Sequence, residues 1–162
     1  MIDRPRLLPS WLLVLALSSL PPGARAAERP CSGKLSGVAK GLFECVVSVT
    51  NGAEGQGYLV IVPKGPVEGV RAFSPGSFEF AGKLAAGSYD LASLVAARAS
   101  LITEDGALFS ATKTTGARGE LTLTLQSVKQ HAGKTLASGV LRARLLPSGT
   151  LKSGEVFVEV TF

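Results

Sequence analysis

The chain has 162 residues, 46% of them hydrophobic, with 17 lysines and arginines against 12 acids and a formal net charge of +5. That is one domain's length, with enough apolar material to bury its own core. The bases are spread along the chain and do not gather on one stripe, which argues against a nucleic-acid binder, and two cysteines with one histidine fall short of a structural zinc site.

Residues 1–26 read as a secretory signal peptide, expected as a helix before removal. Arg4 and Arg6 form its basic end, the run from Trp11 to Leu17 its apolar segment, and Ala24-Arg25-Ala26 a small-x-small cleavage site. The apolar run is shorter than the roughly 20 residues that span a bilayer, so no transmembrane segment is expected after cleavage behind Ala26. Cleavage takes three bases and one acid away and lowers the net charge by two. The expected location is therefore secreted or periplasmic, with residues 27–162 as a single domain.

Cys31 and Cys45 follow shortly after the cleavage site, and an oxidising compartment favours their pairing as a disulfide. Acylation of Cys31 is the competing idea. Glu28-Arg29-Pro30 argues against it, because a lipidation site needs an aliphatic residue and then small ones at those positions. The segment from Ser32 to Gly41 suits a short edge strand, and Phe43 to Thr50 alternates clearly enough for a firm strand. With a tight turn at Lys40-Gly41, Cys31 falls opposite a residue near Thr50. The disulfide is then expected to tie the entering segment sideways to the second strand.

Gly57 to Val62 is an almost continuous apolar run, the mark of a central strand buried on both faces. Val70–Phe73 is a short strand candidate between Pro66 and Pro75. Then Gly76-Ser77-Phe78-Glu79-Phe80-Ala81 and Gly87-Ser88-Tyr89-Asp90-Leu91-Ala92 share one pattern, which reads as two consecutive strands. The piece Leu84-Ala85-Ala86-Gly87-Ser88-Tyr89 resembles the way strands begin in secreted β-sandwich modules such as carboxypeptidase regulatory-like domains. That resemblance implies a β-sandwich setting and carries no function.

Leu91 to Ile102 fits helical spacing in part, yet Ala97–Thr103 and Ala107–Thr112 around Glu104-Asp105-Gly106 make a compact hairpin, with one helical turn before it between Leu91 and Ala96. Residues 113–118 form a polar loop. A C-terminal meander closes the chain: Gly119–Val128, Gly139–Leu146 and Gly154–Phe162, with period-2 alternation throughout. Leu141, Ala143 and Leu145 point inward, so Arg142 and Arg144 point outward, opposite Glu159 and Glu120 respectively. This predicts a charge ladder across strands, not a ligand clamp. The expected fold is all-β, an antiparallel sandwich of jelly-roll or immunoglobulin-like type with about nine strands, and a closed barrel as second choice.

No catalytic constellation emerges. His131 lies in the polar connection 129–134, with no nucleophile elbow or serine-lysine motif in the chain to complete a site. Glu44, Glu79, Asp90, Glu120 and Glu159 sit on strands, and alternation turns each of them outward. No cofactor or metal is implied, since Asp90 and Asp105 are the only aspartates left after cleavage. Trp11 leaves with the signal peptide, and within the meander Phe157 alone is placed outward, a poor basis for a sugar platform. The expectation is a non-enzymatic exported module whose partner is a protein or the cell envelope. The alternatives are a small hydrolase using Glu44, Glu79 or His131, and a small-molecule carrier if the fold is a hollow barrel.

Overall fold

In the computed structural model of the chain, residues 27–52, 54–113, 118–149 and 153–162 are described. The signal-peptide segment 1–26 and the middle of the expected polar loop, 114–117, lie outside the described residues. The strands are β1 (Ala27–Gly37), β2 (Gly41–Asn51), β3 (Gly57–Pro63), β4 (Val70–Glu79), β5 (Gly87–Asp90), β6 (Ala96–Thr103), β7 (Leu108–Thr112), β8 (Glu120–His131), β9 (Lys134–Pro147) and β10 (Val156–Thr161). All pairings between them are antiparallel.

Hydrogen bonds run β10-β1-β2-β3-β4-β6-β7-β9, and β9 pairs with β10, so eight strands close into a barrel. β9 is long enough to be shared. Its last residues, Leu146 and Pro147, meet β7, while residues 134–144 meet β8, which carries the short strand β5 on its far edge. The architecture is therefore all-β and antiparallel, but it is the barrel and not the sandwich that ranked first. Sandwich and barrel share the same alternation along each strand. They differ in whether the last strand keeps a free edge, and β10 is bonded on both edges, to β1 and β9.

The interior is filled by the alternating residues of every wall strand. Val47 and Val49 of β2, Leu59 and Ile61 of β3, Phe78 of β4, Leu101 of β6, Phe109 of β7, Leu141 and Leu145 of β9 and Val158 and Val160 of β10 are all buried. Full burial of such a side chain is worth about 1.5–3 kcal/mol, so this layer outweighs any polar pair on the outside. Small residues make room for large ones. The ring of Phe43 lies over Gly33, its cross-strand partner, and meets Phe73 edge-on at 4.9 Å.

Several local expectations are corrected. β1 is no edge strand, since it pairs with β2 on one side and β10 on the other. Cys31 lies directly opposite Cys45 because the turn is centred near Val38, earlier than Lys40-Gly41, and the Cys31–Cys45 disulfide joins Cα atoms 4.8 Å apart across the ladder. β3 is buried on one face only: Val60 and Val62 are 37% and 47% exposed, because a single closed sheet has solvent on its outside. The two copies of the repeated pattern do fall on consecutive strands, β4 and β5, which are not neighbours in the sheet, since β5 pairs with β8 and β4 with β3 and β6.

The polar connection around His131 is likewise strand. β8 and β9 run on as far as the pair His131 and Lys134, turning through Ala132 and Gly133, both at positive φ. The β6–β7 hairpin is as expected, with Gly106 at φ 86° in its turn. Between β5 and β6 one helical turn forms. Asp90 Oδ1 accepts from the Ser93 N–H while Ser93 Oγ accepts from the Asp90 N–H, a reciprocal cap that fixes the chain reversal. The Ser93 N–H holds the Asp90 carboxyl below its ordinary range.

Candidate binding face

Because the barrel interior takes the apolar half of each strand, the chemistry-bearing side chains face outward. Register brings them into rows. One row runs Leu42, Lys34, Glu159, Arg142, Thr122 and Asp90 across β2, β1, β10, β9, β8 and β5. The next runs Ser36, Phe157, Arg144 and Glu120.

Both expected ion pairs form. Arg142 Nε is 3.1 Å from Glu159 Oε2, and Arg144 is 3.1 Å from Glu120 Oε1. A third pair was not foreseen: Arg144 also reaches Glu155, which precedes β10. The hydrogen bond from Arg144, and then its charge, hold the Glu155 carboxyl below the ordinary carboxylate range, while Glu155 in turn raises Arg144. Glu155 shares the outward phase of Phe157 and Glu159, but the β9–β10 ladder begins at Val156 opposite Leu145, so register alone assigned Glu155 no partner.

Between these rows lies a depression of about 420 Å³ bordered by Lys34, Phe157, Arg142, Arg144, Glu120 and Glu159. A second depression, about 440 Å³, continues it over β1 and β2 toward Leu42 and Glu44 and shares Lys34 and Glu159. A third, beyond Phe157, is lined by Val38, Leu146 and Pro147. Phe157 is 44% exposed and Leu42 81% exposed, each an apolar side chain amid charged ones. Among the described residues Lys34 makes no ion pair, which leaves its ammonium available beside Glu159.

The candidate catalytic residues are not brought together. Glu44 is exposed on β2 opposite Ser32, and Glu79 accepts a hydrogen bond from Tyr58 at the far end of β4. His131 sits exposed at the tip of the β8–β9 hairpin. No hydrogen bond or ion pair joins any two of them among the described residues, and Asp90, Glu120 and Glu159 are each on outward positions as alternation required. Compared with protein-family models, curated proteins and solved structures, the chain finds no match in any of the three.

Proposed function

We propose that the chain is an exported, non-enzymatic module that binds a protein of the cell envelope or its surroundings through the outer face of β1, β10, β9 and β8. The observation that carries this reading is the exposure of Phe157 and Leu42 on a concave face rimmed by Lys34, Arg142, Arg144, Glu120 and Glu159. Protein interfaces are built that way, from a few apolar anchors within a charged rim that supplies register and selectivity. Export rests on the signal-peptide pattern of residues 1–26 and accords with the Cys31–Cys45 disulfide.

A carrier fits less well, since the space inside the ring is taken by Phe78, Phe109, Leu101, Leu141 and Leu145. A hydrolase fits less well too, since Glu44, Glu79 and His131 sit apart on the outer surface.

The test is affinity capture from a native envelope extract with the chain and with its Phe157→Ser and Leu42→Ser variants. Both positions are outward, so neither change removes a core contact. The reading expects a defined partner retained by the parent chain and lost from both variants. Identical capture by all three, or conversion of a substrate by the purified chain, overturns it.

A further inference from the structure

The β8–β9 hairpin carries a second outward surface of different chemistry. Its in-register pairs are Ser127 with Ser138, Lys129 with Leu136, and His131 with Lys134. On the flank, Arg29 of β1 reaches the same place, with its Nη1 donating to the Ala137 carbonyl at 3.2 Å. Arg29, Ser127, Lys129, Leu136 and Ser138 line a depression of about 520 Å³.

Its donors converge without a carboxylate among the lining residues. The hydrogen bond to Ala137 uses one N–H of Arg29 and holds the guanidinium in place, leaving its other N–H groups to donate. Ser127 Oγ and Ser138 Oγ are 2.7 Å apart, and whichever hydroxyl donates, the other keeps a proton to offer outward. Lys129 adds a mobile ammonium, with Lys134 and His131 farther along at the tip. Glu28 lies beyond Arg29 on β1, in register with Ser48, and does not line the depression.

The contrast with the Phe157 face is what gives this surface meaning. There, Arg142 and Arg144 are each neutralised by acids on neighbouring strands. Here, among the described residues, neither Arg29 nor Lys129 makes an ion pair, and both stand beside hydroxyl donors. A guanidinium, an ammonium and a hydroxyl around one concavity match a tetrahedral oxyanion with several acceptor oxygens.

We propose that the hollow between Arg29, Lys129, Ser127 and Ser138 binds a phosphate group, carried either by a soluble phosphate compound or by a phospholipid headgroup. It is separate from the protein-binding reading of the Phe157 face and stands or falls without it.

Two titrations on the full chain test it. In the first, inorganic phosphate is added at constant ionic strength and the amide NMR signals are followed. In the second, vesicles of phosphatidylglycerol are compared with vesicles of phosphatidylcholine in a sedimentation assay. The reference in both is the same chain carrying Lys129→Glu and Ser138→Ala, both at outward positions, so the apolar N-terminal segment contributes equally to every sample.

The proposal expects saturable shifts centred on residues 127–129 and 136–138, or retention on the anionic vesicles alone, weakened at least tenfold in the double variant. Shifts with phosphate alone assign a soluble source, and vesicle binding alone assigns the headgroup. Shifts no different from those with matched chloride, together with equal binding to both vesicles, overturn it. So does a double variant that binds as the parent does.

Discussion

Arg144 stands directly opposite Glu120 in the β8–β9 ladder and, with the same guanidinium, reaches Glu155 at the start of β10. One side chain thus links three neighbouring segments at the point where the barrel closes. Glu155 is held below its ordinary value of 4.5 by this hydrogen bond and charge. A depressed carboxyl contributes stability above its unfolded value, and that contribution is lost as pH falls through the folded one. Glu155→Gln is therefore expected to lower Tm at pH 7. The gap to the parent chain should close progressively once pH drops below about 4.5. Thermal melts across that range would show it, and a gap independent of pH would remove Glu155 from the account.

Cys31 and Cys45 face each other across β1 and β2 with their side chains buried, and their bond closes a loop with a sequence separation of 14. In the chain-entropy model a loop of that size is worth about 3 kcal/mol. Replacing both cysteines with alanine avoids burying a hydroxyl and should cost roughly that amount. Urea unfolding monitored by fluorescence or circular dichroism would register it as a lower midpoint. A midpoint unchanged within error would mean that the β1–β2 ladder needs no staple.

How far the chain could be read from sequence depends on the question asked of each residue. Alternation settles which side a residue faces, so Arg142, Arg144, Glu120 and Glu159 were placed outward and paired correctly, and Phe157 was placed outward as well. It does not settle which strand lies alongside. Neighbours such as β4 with β6, or β5 with β8, are chosen by how the whole sheet curls, and no local pattern encodes that. The turn between β1 and β2 was misplaced because Gly37 and Gly41 both suit a turn, and an error of a few residues moved the partner of Cys31. The strand ends around His131 resembled a loop because Lys129, Gln130 and His131 are all exposed, so polar residues fall on both faces there. The binding face was legible only in part: its charged rim follows from register, whereas the depressions between those side chains are seen only in the folded chain.

A side chain at Gly33 or at Gly139 meets an obstacle, of a different kind in each case. A Cβ at Gly33 would fall 2.2 Å from Phe43 Cζ, the far end of a side chain. At Gly139 it would fall 2.2 Å from the Thr124 carbonyl oxygen, which is backbone. Gly139 also exchanges two hydrogen bonds with Phe162 and sits beside the register shift between Leu125 and Ser127. Gly33→Ala is expected to cost about 1–3 kcal/mol as Phe43 gives way. Gly139→Ala should cost more, because the ladder itself must move. Denaturant melts of the two variants would rank them, and the reverse order would contradict the packing described.

The β8–β9 turn offers the opposite kind of change. Ala132 has φ of 48° and Gly133 of 75°, the pattern of a two-residue turn in which both central positions are left-handed. Alanine is poorly suited to that conformation, which costs an L-residue other than glycine, asparagine or aspartate about 1–2 kcal/mol. Asparagine tolerates it and precedes glycine in the most favoured hairpin turns. Ala132→Asn is therefore expected to stabilise the chain by roughly 0.5–1 kcal/mol, visible as a rise in the urea midpoint with an unchanged slope. Because residue 132 is exposed and lines none of the depressions described above, binding at the Phe157 face should be unaffected. A variant less stable than the parent would show that the hairpin turns by some other route.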